Sequence, residues 1–415
     1  MSEHGEDSES STEKSILILN DEWGTSKGGI YTVHRQIAQQ AKDAGFDVHV
    51  TTLEELSKED KSDADEKGIK IIKAITKGST KPDRSSINVT HRTYFPDLEK
   101  QKNFVVIIGH IPVTSEGATD IKDDRLKRCK VIQFTHIIAE DTNDLKEGSN
   151  SMKNTEEERK IIQLVKRSNA VFSVGPRVYN HYDGKFHGLQ NIVHRQYIPY
   201  PDRCFFDLQI KPPEPHHIKR ILTVGRLEGG YDVFVEALSN VCEIYQKVGW
   251  PLPKWDIRGI PEEEQEESRD FIKTYMTSEY FDYKLHTCGT QKEIMENLKQ
   301  SHLFVMPQRR EPFGIVGMEA IAAGIPVLIT KNSGLADFIK EHFKTDAQAM
   351  VVDMGLNNYA HKNNVDIWQK RIIDALDPEN IESKFSKAAE IKEKLQVLSA
   401  ITDTHKEFQK FLQGN

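Results

Sequence analysis

Two separated stretches of this chain run in the order strand, glycine-rich turn, helix, and that repeated plan limits the fold more than any other feature. Ser15 to Leu19 is a short β-branched and leucine run, followed by DEWGTSKGG and a helical pattern from Ile30 to Ala44. In the second half, ILTVGRLEGG leads into a helical pattern from Val233 to Tyr245. Each opening has the form of a βαβ unit, and FDVHVTT, after Gly45, supplies the second strand of the first one. Further strands are expected at Val105 to Ile108, Val131 to Phe134 and Ala170 to Val174, with a helix over Glu156 to Lys166. In the second half WDIRGI, LFVMP (Leu303 to Pro307) and Pro326 to Thr330 read as strands. This alternation predicts parallel sheets covered on both faces. Ser57 to Lys81 is charged and is expected to contain an irregular loop. Between the halves, IPYPDRCFFDLQIKPPEPHH holds five prolines and no sustained periodicity, so the interdomain linker is placed there. Two nucleotide-binding-type α/β lobes facing one cleft are the expected result.

A chain of 415 residues is long enough for two or three full cores. The formal net charge of -8, with no segregation of basic residues, argues against a nucleic-acid surface. Cys129, Cys204, Cys242 and Cys288 are scattered without C-x-x-C spacing, which argues against a structural zinc site and for a reducing compartment. MSEHGEDSESSTEK is acidic and serine-rich without an apolar core, so residues 1–14 read as a disordered tail and not a signal peptide. A cytoplasmic protein is expected. The longest mostly apolar run, Phe313 to Thr330, is broken by Glu319, Gly324 and Pro326 and suits helix, turn and strand better than a membrane span.

The run EPFGIVGMEAIAAG, Glu311 to Gly324, carries the most chemistry. Pro312 discourages helix at Glu311, so the first carboxylate belongs to a loop while Glu319 lies in the helix that follows. Eight helical steps would set the two roughly 80° apart around one axis, whereas a loop and a helix can converge on one ligand. Backbone N–H groups near Gly314 and Ile315 would face an anion at the helix N-terminus. An amphipathic core helix with one exposed glutamate is the plainer alternative.

GRLEGGYDVFVEAL, CGTQKEIMENLKQSHLFVMPQRREPFGIVGMEAIAAGIPVLIT and NSGLADFI resemble the catalytic lobe of a family 4 retaining glycosyltransferase of GT-B fold. The first half is similar more weakly, through KGGIYTVHRQIAQQAKDAGFDVHVTT, the strand ending in Gly109 and His110, and IQFTH. The resemblance implies two Rossmann-like domains, 15–205 and 219–390, joined by a linker at 206–218. A C-terminal helix over 391–415 is expected to pack back on the first domain. It implies transfer from a nucleotide-diphosphate sugar, UDP favoured, to an unidentified hydroxyl acceptor, by a hexosyl- or N-acetylhexosaminyl-type enzyme without cofactor or metal. By resemblance Glu311 contacts the sugar ring and stabilises charge at C1, and Glu319 accepts from the ribose hydroxyls. The Phe313 and Gly314 amides meet sugar hydroxyls or phosphate, with Ile315 behind them. Arg226 grips the leaving diphosphate. Gly28 and Gly29 approach the donor from the other lobe, and His136 contacts the donor sugar.

His110 is a second such candidate, and Arg177 could stand by the acceptor. From the residues alone the histidines also read as satisfied core groups and the arginines as surface ones. Where family members usually carry Lys-Gly, this chain has Gly229-Gly230 in a shorter turn, so one cation is missing. Arg309 or Arg310 could replace it; a binding protein with little or no turnover is the alternative function. Pro199-Tyr200-Pro201 stands where Pro-Asn-Gly is common and reads as a stiffened hinge. Asp63-Ala64-Asp65 looks like a D-x-D metal motif but is placed in a charged loop and set aside. No basic amphipathic helix favours a membrane acceptor.

Overall fold

A computed structural model describes residues 14–24, 28–99, 103–144, 151–214, 217–227, 229–355 and 360–414. Seven strands form the first sheet: β1 (Ser15–Ile18), β2 (Asp47–Thr52), β3 (Lys70–Lys73), β4 (Phe104–Ile111), β5 (Lys130–Thr135), β6 (Ala170–Val174) and β7 (Val193–Tyr197). All pair in parallel, in the order β3-β2-β1-β4-β5-β6-β7. The second sheet has six: β8 (Arg220–Val224), β9 (Lys254–Arg258), β10 (Asp282–His286), β11 (Leu303–Met306), β12 (Val327–Thr330) and β13 (Val351–Val352). These are also parallel, in the order β10-β9-β8-β11-β12-β13. β1 and β6 are buried along their whole length, because helices cover both faces and nearly every side chain then needs to be small or apolar.

Strand order reverses between β1 and β4 in the first sheet and between β8 and β11 in the second. Loops leaving the carboxyl ends of strands at such switch points diverge and open a crevice. The runs after β1 and β4 therefore face the cleft from one lobe, and those after β8 and β11 from the other.

One sequence reading is sharpened and another corrected. The segment Ser57 to Lys81 opens with a helix, Lys58–Glu66, followed by β3, and the irregular loop expected in it lies after β3. Ser57 caps it by accepting from the Asp60 N–H at 3.0 Å, and Ala64 is its one buried side chain. Asp63 is thus helical. It accepts from Trp23 Nε1 at 2.8 Å and pairs with Arg35 and Lys67, which leaves little of its carboxylate for a metal.

The last two helices part at Val397-Leu398. Ile381–Gln396 packs on the second lobe, along the helix Ile315–Ala323, while Ser399–Gln413 crosses to β7 and the helix Gly29–Asp43. There Phe408 packs edge-on against the stacked pair Phe134 and Phe172, and His405 reaches the Ile198 carbonyl at 2.8 Å. Among the described residues no helix is long and apolar enough to cross a membrane.

Candidate active site

The loop after β11 is held from two sides. The Arg309 N–H donates to the Gly229 carbonyl at 2.7 Å, the Gly334 N–H to the Glu311 carbonyl at 3.0 Å, and the Leu335 N–H to the Phe313 carbonyl at 2.7 Å. Such pinning turns a loop into a rigid platform. Glu311 Oε1 accepts the Phe313 N–H at 3.4 Å, so that amide is already engaged. Gly314, in the left-handed region at φ 97°, opens the helix Ile315–Ala323, whose first two amides, of Ile315 and Val316, have no intrahelical acceptor, while the Gly317 N–H donates to the Gly314 carbonyl at 3.1 Å. Glu311, Phe313, Gly314 and Ile315 thus share one loop-to-helix corner. Phe313 and Ile315 are buried.

Across the cleft, Gly28 caps the helix Gly29–Asp43. A Cβ on Gly29 would stand 3.2 Å from Ile315 Cγ2. The Phe313 ring lies against Gly175, at the end of β6, so closely that a Cβ there would be 2.4 Å from the ring. The corner therefore seats directly on the first lobe, at Gly29, which the sequence placed near the donor, and at Gly175, which it did not.

Glu319 is 2% exposed and faces the segment that crosses between lobes. Burial, and then the neighbouring Asp202, push its carboxyl up from 4.5 to about 8. It is a neutral acid at pH 7, not the carboxylate assumed from sequence.

The three candidate cations diverge. Arg226 Nε sits 3.0 Å from Glu264, with 59% of its side chain exposed. Arg309 bonds Asp232 at 2.6 Å beside the Gly229-Gly230 turn, so its guanidinium occupies the neighbourhood where the family's lysine is missing. Gly230 could not be anything larger: its φ is 113° and a Cβ would lie 2.1 Å from the Pro307 carbonyl oxygen. Arg310 reaches the other lobe, 3.4 Å from Asp141, which also accepts from Arg177 Nη2 at 2.8 Å. Asp141, Arg177, Arg310, His181, Glu140 and Ile138 line a polar cavity of about 240 Å³ between the lobes.

His110 lies inside β4 and His136 directly after β5, joined by a bond of 2.9 Å between His110 Nδ1 and His136 Nε2. A third histidine continues the line: His34 Nδ1 is 3.0 Å from His110 Nε2. Burial is the first cause that holds all three below the ordinary histidine range, His110 at about 4, so all are neutral at pH 7. Sequence reasoning missed His34 and Asp141. His34 did leave a trace, since it occupies the apolar stripe with Ile37, Ala38 and Ala41, where a polar residue needs a buried partner.

A family model described as family 4 glycosyltransferase in conflict systems matches residues 17–402. The chain belongs to that family. It is 27% identical over 181 residues to an uncharacterised glycosyltransferase of Methanocaldococcus jannaschii, covering 39% of this chain and 44% of that protein. The chain spans less than half the length of the curated relatives it matches. Among solved structures, sucrose-phosphate synthase of Thermosynechococcus elongatus superposes with a TM-score of 0.65 at 13% identity, over 97% of this chain and 98% of that one. Anabaena HepE, solved with UDP and glucose, gives a TM-score of 0.57 at 14% identity, over 92% and 98%. This family member therefore has the GT-B fold, two parallel α/β lobes around a cleft.

Proposed function

We propose that the chain is a retaining, metal-independent glycosyltransferase that moves a sugar from a nucleotide-diphosphate donor, UDP favoured, to a hydroxyl acceptor. One observation carries the reading. The corner from Glu311 to Ile315 presents a carboxylate, and helix-start amides of Ile315 and Val316 with no intrahelical acceptor, at the switch point of its sheet, against the helix-start glycines of the other lobe. Family membership supports sugar transfer, and the fold shared with HepE, solved with UDP and glucose, supports a nucleotide sugar as donor.

In this reading the diphosphate lies along the first-turn amides of Ile315 and Val316. Arg226 leaves its exposed bond to Glu264 to reach it, and Arg309 adds fixed charge from the glycine turn. Glu311 stabilises the positive charge that builds at C1 as the bond to phosphate breaks. The acceptor oxygen bonds to C1 on the same face, and its proton passes to the departing phosphate oxygen. His136 hydrogen-bonds the sugar. Glu319, as a neutral acid, can donate one hydrogen bond to a ribose hydroxyl as well as accept one. The experiment is a screen of UDP-, GDP- and ADP-sugars for nucleotide release with and without EDTA. No release from any donor defeats the enzyme reading, and release lost in EDTA defeats metal independence.

A second reading, a nucleotide-sugar-binding protein with little turnover, is favoured by Gly229 in the lysine position and by Arg226 engaged with Glu264. Calorimetry with UDP-glucose separates the two, since heat of binding without released UDP supports the second.

A further inference from the structure

Three buried imidazoles run in line from the helix Gly29–Asp43 to the cleft. His34 Nδ1 is 3.0 Å from His110 Nε2, and His110 Nδ1 is 2.9 Å from His136 Nε2. His34 and His110 are fully buried, while His136, at the carboxyl edge of β5, keeps 7% exposure. Each N···N bond holds one proton. Three neutral imidazoles bring three N–H groups, so two fill the bonds and the third must sit at one end of the line.

Only two arrangements satisfy that count. In one, every ring donates toward the cleft and His136 presents Nδ1–H there, leaving a lone pair on His34 Nε2. In the other, every proton is reversed, His136 offers a lone pair, and His34 carries an Nε2–H. His34 Nε2 is buried and has no partner among the described residues. An orphaned buried donor is rarer and costlier than an under-used acceptor.

We propose that His34, which touches neither donor nor acceptor, is a positioning residue that fixes the polarity of this line so that His136 presents Nδ1–H to the donor sugar. The proposal rests on the reading that His136 faces that sugar. It adds the donor-or-acceptor state of the ring, which is set two rings along the line. The neighbours of a histidine's second nitrogen decide its tautomer, and here a whole chain transmits that choice.

The full-length protein labelled with ¹⁵N-histidine tests it, with His136→Asn assigning the resonance. Long-range ¹H–¹⁵N spectra are expected to show His136 protonated on Nδ1 and bare on Nε2; a protonated Nε2 overturns the proposal. His34→Leu removes the donor and should mix or reverse the His136 tautomer. It should also cut kcat for UDP release from UDP-glucose about tenfold, with KM nearly unchanged. His34→Asn, whose amide nitrogen can stand where Nδ1 stood, should restore both. An unchanged tautomer in His34→Leu overturns the proposal, as does equal loss in the Leu and Asn variants. If His34→Leu does not fold, the wild-type spectrum decides. If the wild type releases no UDP, the tautomers still decide, so failure of the line and failure of the transferase reading are told apart.

Discussion

Replacing Glu319 with glutamine removes a buried titration and should change stability only where that titration occurs. The carboxyl goes from 4.5 in the open chain to about 8 when folded. Between those values the unfolded chain has released the proton and the folded chain keeps it, so stability falls as pH rises. The favourable contribution is complete below pH 4.5 and is lost as pH climbs through 8. At about 1.4 kcal/mol per unit, the loss between pH 5 and pH 8 is roughly 3 kcal/mol. Glutamine resembles the neutral acid, so the variant's advantage over the wild type should be small at pH 5 and larger by roughly 3 kcal/mol at pH 8. For a lobe of this size that is a gap of roughly 6–12 °C in the unfolding midpoint. Other titrating groups are common to both proteins and cancel in the difference. Scanning calorimetry of both proteins at pH 5, 6, 7 and 8 gives the gap directly. A difference that stays flat across the range would refute the buried neutral acid and, with it, the donor role proposed for Glu319 at the ribose.

Arg226→Ala should cost less than about 1 kcal/mol, because its ion pair is exposed, yet weaken UDP binding about tenfold; calorimetry that finds equal affinity removes it from the diphosphate. Gly230→Ala combines a left-handed φ with a Cβ 2.1 Å from a carbonyl oxygen and should destabilise by about 2–4 kcal/mol in urea unfolding, or fail to fold. Phe408→Ala empties a fully buried site against two stacked phenylalanines and should cost about 3–5 kcal/mol; a much smaller loss would mean that the last helix does not stabilise the first lobe.

The strands found from sequence are those buried on both faces, where a continuous apolar run has no competing explanation. β3, β7 and β10 escaped notice for the opposite reason. KIIK, VHRQY and DYKLH lie at the outer edges of their sheets, half exposed, and carry the charges that blunt an edge. The corner from Glu311 to Ile315 was readable because its parts are contiguous and its proline and glycine fix the backbone locally. Arg226 was placed correctly on its loop, but its direction depends on Glu264, which no local pattern announces. Glu319 reads as a carboxylate in sequence because the helix carries no mark of the long-range packing that buries it and then brings Asp202 beside it. The same limit hid the histidine line, assembled from a helix and two strands far apart in sequence.

The central claim is that this cleft transfers sugar from a nucleotide donor through Glu311. Wild type and Glu311→Gln, incubated with UDP-, GDP- and ADP-sugars and assayed for free nucleotide, test it most directly. The wild type should consume at least one donor, the variant should do so about a hundredfold more slowly, and the free nucleotide should still raise the unfolding temperature of both. Consumption by neither protein, or at equal rates by both, would contradict it.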